Sequence, residues 1–455
     1  MSQTLPPPPP LTSPGPSSAP SPGRPSGPPS GPEGADSSYA KFRNEVLAGG
    51  ASEQPDVDDT AGGTRAVLGI GVIVALLGLL AVWNAWAFLF VVLLLGCIFL
   101  HEVGHFVTAK WTGMKATQFF LFMGPKLWSF RRGETEYGIR AYPIGAFVRI
   151  IGMNNLDEVA PEDEPRAYRN QSYPKRMLVI CAGSIMHMII AMTLLFGVYS
   201  TKGVLEPTGR VAVSEVVAAG PAAEAGLRAE DVVLSIGGVT PTTGEEYVAL
   251  VQARSPGDMV PFVIDRDGEV LTIDVGLGAN PNQGPDFGKA YVGTRSGGEN
   301  DWQSMSVPEA AGRSITDLGN GMWQSVGGVV KVLNPVNIFQ HLAGTAEDPS
   351  TQPTTVVGVS RFSGIVGDDT GLAGILILLA GVNVFVGLLN LFPMLPFDGG
   401  HAAVATYERL RSRKGAAPYR ADVGKLIPVA MTMMGLLLFL MLAGLYLDIV
   451  KPIGG

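Results

Sequence analysis

From Ala66 to Leu100 the chain carries no charged residue. A helix of about 20 apolar residues spans a bilayer, and only a helix or a closed barrel satisfies every backbone group in lipid. The apolar region continues to about Lys110 and is too long for one span. Trp83, Asn84 and Trp86 interrupt it, and amphipathic aromatics suit a membrane–water boundary. The pattern predicts a helical hairpin, one helix near 65–82 and one near 86–110, with one long kinked helix as the alternative. Further spans are expected near 176–199, 370–392 and 426–447. With 46% hydrophobic and 16% charged residues, the chain reads as a polytopic α-helical membrane protein of four or five transmembrane helices.

The first uncharged run ends in the sequence HEVGH, His101 to His105. Helix positions four apart share a face, so His101 and His105 can hold one metal ion together. Glu102 sits off that axis but within reach of water at the metal. This is the H-E-x-x-H pattern of zinc hydrolases, in which the glutamate is general base. A five-residue pattern with two free positions also arises by chance. The setting argues against chance, because a charge at membrane depth costs about 2.5–3.5 kcal/mol on insertion scales and marks a functional site by default.

Catalytic zinc commonly takes three protein ligands, so one is missing. The candidates are His187, His341, His401 and several carboxylates. Asp398 stands out, because it follows an uncharged stretch from Gly371 to Phe397 in a glycine- and proline-broken run. Broken backbone at that depth must be enclosed by protein or line an aqueous cavity. The alternative is a loop aspartate that caps a helix, with Gly399 and Gly400 as hinge. His187, inside its span, is open to three readings: ligand, substrate contact or packed residue.

The rest of the chain divides by composition. Residues 1–64 form a Pro-, Ser- and Gly-rich tail expected to be disordered. Residues 111–175 read as a membrane-associated region of β-hairpins with turns at Gly124-Pro125, Gly133 and Gly138. Residues 205–280 read as a compact α+β domain, and 281–369 as a linker with an amphipathic stretch from Val307 to Leu342. Residues 370–455 hold the last spans. Lysine and arginine concentrate after the metal helix (Lys110 to Arg176) and between the last two spans (Arg409 to Lys425). By the positive-inside rule both loops are cytoplasmic, the 205–280 domain lies outside, and the tail is cytoplasmic if there are five spans. The net charge of −8, with no basic face, gives nucleic-acid binding no support. Cys97 and Cys181 both lie in apolar segments, which argues against a disulfide framework.

HEVGH in one span, AGSIMH in the next and NLFPMLPFDGGH in a third resemble the site-2 protease family of intramembrane zinc metalloproteases. The third element matches N-x-x-P-x-P-x-x-D-G at Asn390, Pro393, Pro396, Asp398 and Gly399. The segment ending YPIGAFVRIIGM resembles the family's membrane-associated β element, and VVAAGPAAEAGLRAEDVVLSIGGV its inserted PDZ domain. The likeness spans roughly residues 86–445. It implies Zn2+ held by His101, His105 and Asp398, with Glu102 as general base. It also implies that Asn390, Pro393 and Pro396 shape the site loop and contact substrate. Where the family has G-P-x-x-N, this chain has Gly183, Ser184, Ile185, Met186 and His187. Gly183 and His187 are thereby expected at the substrate, with approach of His187 to the metal or to an oxyanion left open.

The implied activity is regulated intramembrane proteolysis in the cell membrane. Its substrates would be single-pass transmembrane proteins, such as anti-sigma factors, after a first cut on the outer side. The β element could hold an unwound substrate by strand addition. The PDZ domain could bind a new carboxyl terminus or exclude bulky outer domains. A binding-only homologue should have lost Glu102 or Asp398, and both are present. A metal transporter would spread ionisable residues through several spans, whereas here they gather at one depth.

Overall fold

The structure, a computed structural model, describes residues 63–451 apart from 154–156, 283–285, 333, 347, 349–350 and 414–417. The expectation of a disordered tail falls on residues that lie, up to 62, outside the described ones. Helix α1 covers Gly63–Trp83 and α2 Ala85–Trp111. Asn84 separates them: its backbone is extended, and its side-chain oxygen accepts from the Ala87 amide at 2.8 Å to start α2. Gly69, early in α1, lies against Leu127 in the strand that follows α2, so the two helices run antiparallel. This is the expected hairpin.

Strands β1 (Ala116–Arg132) and β2 (Thr135–Ile150) follow. Their register shows more than a simple hairpin. Residues 118–121 pair with 136–139 on one side, and residues 116–123 pair with 142–150 on the other, while 126–132 pair with 135–140. Four segments thus lie side by side in the order 126–132, 135–140, 116–123, 142–150. Gly124 and Gly133 take positive φ at a corner and at the connecting turn. Gly138 was expected to make a third turn; it lies within a segment, paired with both Phe120 and Ser129. At the turn, Glu134 accepts from Arg166 at 2.6 and 2.9 Å and from Lys110 at 2.5 Å, tying the β element to the end of α2.

Helix α3 (Tyr173–Thr201) leads into β3 (Val204–Val216), α4 (Pro221–Ala225), β4 (Val232–Ile236), α5 (Gly244–Gln252), β5 (Met259–Arg266) and β6 (Glu269–Gly276). The short strands β7 (Gly278–Ala279) and β8 (Ala290–Tyr291) precede β9 (Thr294–Gln303). The main sheet runs β6-β5-β4-β3-β9 and closes over a core that includes Val211, Ile236, Tyr247, Phe262 and Ile264. This is the compact α+β domain expected after α3. Its last strand lies beyond the expected boundary at 280, because β9 pairs back along nearly all of β3.

Then come α6 (Val307–Val332), α7 (Pro335–Ala343), α8 (Val356–Asn390), α9 (Asp398–Arg411) and α10 (Ile427–Val450). Among the described residues, α2, α3, α8 and the segment Val423–Val450 are long and apolar enough to cross a membrane, and Val67–Trp83 is a shorter apolar helix. Helix α8 begins well before the expected span. It breaks at Gly371, whose φ of 64° and ψ of −152° suit glycine alone. The polar stretch before that break, with Arg361, Asp368 and Asp369, obscured the helix in the sequence.

Helices α2, α3 and α8 form the membrane core. Phe90, Leu94 and Cys97 of α2 pack on Ile375 and Leu379 of α8. Ala191, Leu195 and Val198 of α3 pack on Ala373, Ala380 and Val384 of α8. Lipid is as apolar as leucine, so close packing at small residues has to drive this association. At the base of the core, Arg176 of α3 donates to Glu408 of α9 at 2.7 Å, and both are buried. Glu408 also accepts from the Ala421 amide at 2.8 Å. A buried pair of this kind costs about 3–5 kcal/mol to break from one side, so α9, which begins at Asp398, is firmly placed.

Candidate active site

His101 and His105 project from one face of α2, with their Nε2 atoms 3.1 Å apart. Asp398 opens α9 after the loop that ends α8, and brings its Oδ2 to 3.4 Å from His101 Nε2 and 3.2 Å from His105 Nε2. These residues form the one His/Cys/Asp/Glu group of metal-holding geometry found among the described residues. Zinc bound tetrahedrally at about 2.0–2.1 Å separates its ligand atoms by roughly 3.3–3.4 Å. The observed triangle fits that spacing. Asp398 Oδ2 is buried and makes no hydrogen bond despite its nearness to both imidazoles. The three atoms are thus spaced as the ligands of one ion are.

The neighbours of these residues fix that spacing. His105 Nδ1 donates to the Val179 carbonyl of α3 at 2.7 Å, which turns the Nε2 lone pair toward the cluster. Gly183 of α3 lies directly against both rings. A Cβ there would sit 2.3 Å from His101 Cε1 and 2.5 Å from His105 Nε2, so only glycine leaves room for them. The expected substrate role for Gly183 thus meets a residue packed on the imidazoles.

Glu102 Oε1 stands 4.0 Å from His101 Nε2, beside the cluster but outside it. A cavity of about 100 Å³ opens here, lined by Glu102, His105, Asp398, Pro396 and His401 together with Phe147 to Ile150 of β2. The edge segment of the β element thus faces the site. Asn390 ends α8, and Pro393 lines a neighbouring cavity behind the loop.

The remaining histidines separate cleanly. His341, in α7, pairs with Thr351 at 2.8 Å, away from the cluster. His187 is 2% exposed, packs its ring 4.8 Å from that of His101, and does not line the site cavity. Its Nδ1 lies 2.7 Å from Asn383 Oδ1, while Asn383 Nδ2 donates to the Leu379 carbonyl at 2.8 Å. Asn383 is neutral, so no charge marks it in the sequence. The available signal was a carboxamide inside an otherwise apolar helix.

Residues 89–435 match peptidase family M50. The chain belongs to that family. It is 34% identical over 402 residues to "Zinc metalloprotease Rip1" of Mycobacterium tuberculosis, covering 80% of this chain and 97% of the relative. The Mycolicibacterium smegmatis protein of the same name is 32% identical over 405 residues, with the same coverage. Among solved structures, the PDZ domain of an SdrC-like protein from Listeria monocytogenes matches 20% of this chain and 93% of its own, at 22% identity and a TM-score of 0.18. The family makes this chain a zinc metalloprotease of the membrane, acting on its substrates within the bilayer.

Proposed function

We propose that this chain hydrolyses a peptide bond in the transmembrane segment of a single-pass protein, with His101, His105 and Asp398 as the zinc ligands and Glu102 as the general base. The observation that carries the reading is the triangle of 3.1, 3.2 and 3.4 Å formed by three lone-pair atoms at membrane depth, with a carboxylate beside it that is not part of it. When bound, zinc supplies a Lewis acid that acidifies water and polarises the peptide carbonyl. Glu102 accepts the proton of the attacking water. As the C–N bond breaks, it passes that proton to the leaving amine nitrogen.

A substrate helix locks its amides in hydrogen bonds and must unwind before it can react. The edge segment around Phe147 to Ile150 offers a template for the unwound strand, and Pro396 lines the same cavity. Asn390 and Pro393 shape the loop that delivers Asp398. His187 and Gly183 support the substrate site from behind, through His101.

The arginines and lysines after α2 and from Arg409 to Lys425 support a site near the cytoplasmic face and a PDZ domain outside, with the tail cytoplasmic on a count of five spans. From Gly183 to the end of α3 at Thr201 the helix rises about 27 Å. The PDZ domain begins only beyond that point, which suits exclusion of bulky outer domains. Substrates of the anti-sigma-factor type, already cut on the outer side, meet these requirements.

The test compares membranes of cells expressing the native chain with those expressing Glu102→Ala, by mass spectrometry of short transmembrane stubs. Stubs lacking their outer domains should accumulate only with the variant. Matching stub profiles, with zinc retained in both proteins, would refute proteolysis in favour of a binding role.

A further inference from the structure

His401 is 9% exposed and lies one helical turn after Asp398, on the same face of α9. It lines the cavity that also holds Glu102 and Asp398, yet it is not part of the group of three ligand atoms. Neither ring nitrogen makes a hydrogen bond among the described residues. Its nitrogens are not among the polar atoms sealed off without a partner, so this imidazole opens onto the cavity and can meet a partner that comes with the substrate. His187 is differently placed. Asn383 holds it, it packs on His101, and it stays out of the cavity.

We propose that His401 is a catalytic residue, donating a hydrogen bond to the carbonyl oxygen of the scissile peptide as that oxygen gains negative charge. The assignment rests on the proteolytic reading given above. Water oxygen bonds to the carbonyl carbon, the carbonyl electron pair moves to oxygen, and the His401 N–H stabilises that charge without giving up its proton. When the C–N bond breaks, the electron pair returns from oxygen and the proton held by Glu102 goes to the amine. A donor directed at the developing charge contributes about 10²–10³-fold in rate. Its position on the same turn as Asp398 ties the donor to the proposed ligand set.

The experiment uses full-length protein in nanodiscs, native and as His401→Leu and His401→Gln. The probe is a Leu–Ala phosphinic peptide, whose tetrahedral phosphinate mimics the charged oxygen, set beside the matching amide peptide. Zinc per chain is measured for all three proteins. We expect His401→Leu to weaken phosphinic binding about 10²-fold. Its zinc content should match native and its amide-peptide affinity should change by less than about 3-fold. His401→Gln, which keeps a donor, should recover part of the loss. Equal phosphinic affinity in all three proteins would overturn the proposal, and so would loss of zinc in both variants. If zinc-stripped native protein binds the phosphinate as well as the loaded protein does, the reading of the site itself fails.

Discussion

Gly183→Ala adds one methyl group to the wall of the metal centre, and its effect can be worked from distances. The new carbon would lie 2.3 Å from His101 Cε1, 2.5 Å from His105 Nε2 and 2.6 Å from His101 Nδ1. Ordinary carbon contacts lie at about 3.5–4.0 Å, so the His101 ring must retreat by more than about 1 Å. A metal site tolerates about 0.2 Å in its ligand distances, and a misplacement of about 1 Å costs on the order of 10²-fold in function. His105 cannot yield easily, because the Val179 carbonyl holds its other nitrogen at 2.7 Å. We expect zinc affinity, read by chelator competition, to fall at least about 10²-fold, with cleavage falling in step. The control is Gly197→Ala on the same helix, where an added Cβ meets nothing within 4 Å. A Gly183→Ala protein that holds zinc as the control does would refute the argument that this glycine is dictated by the two imidazoles.

Two further outcomes follow from the surroundings of the centre. Asn383→Leu removes the 2.7 Å partner of His187 and frees the ring that packs on His101. Zinc affinity should drop about 10-fold, at the low end for groups that orient ligands from behind, and unchanged chelator competition would contradict this. Glu134 is held down to about 2 by its hydrogen bonds to Arg166 and then by Lys110. A depressed carboxylate contributes stability that is complete above its unfolded value near 4.3 and is lost as pH falls through about 2. The thermal stability of zinc-free native protein should therefore exceed that of Glu134→Gln at pH 5 and converge with it toward pH 2. A constant gap across that window would be the refuting result.

The ligand candidates were legible because charge at membrane depth is conspicuous and helix geometry fixes what a spacing of four does. Asp398 showed itself in the same way, as the first charge after a long uncharged stretch. The β element was only half legible. Its corner at Gly124 and its turn at Gly133 are local signals, but the placement of 116–123 between two segments of β2 is a choice among non-local pairings. No dipeptide encodes such a choice. Asn383 escaped because a search for charge passes over a neutral amide. Position alone does not decide the role of His187, a lone histidine in an apolar span, and leaves His401, three residues after Asp398, as a candidate ligand. Only the fold shows that one faces a carboxamide and the other a cavity.

The three proposed ligand atoms also set a timetable for how the protein is made. His101 and His105 emerge early in translation, on α2, whereas Asp398 belongs to the last part of the chain and reaches them only after α8 has entered the bilayer and α9 has docked through Glu408. Between those moments the nascent chain holds two histidines with no third partner, beside a translocon crowded with other unfolded membrane segments. On the proposed ligand set, the site is incomplete until Asp398 of α9 joins His101 and His105 of α2. The proposed ligand set thereby ties hydrolysis to the late docking of α9 on α3 through Glu408.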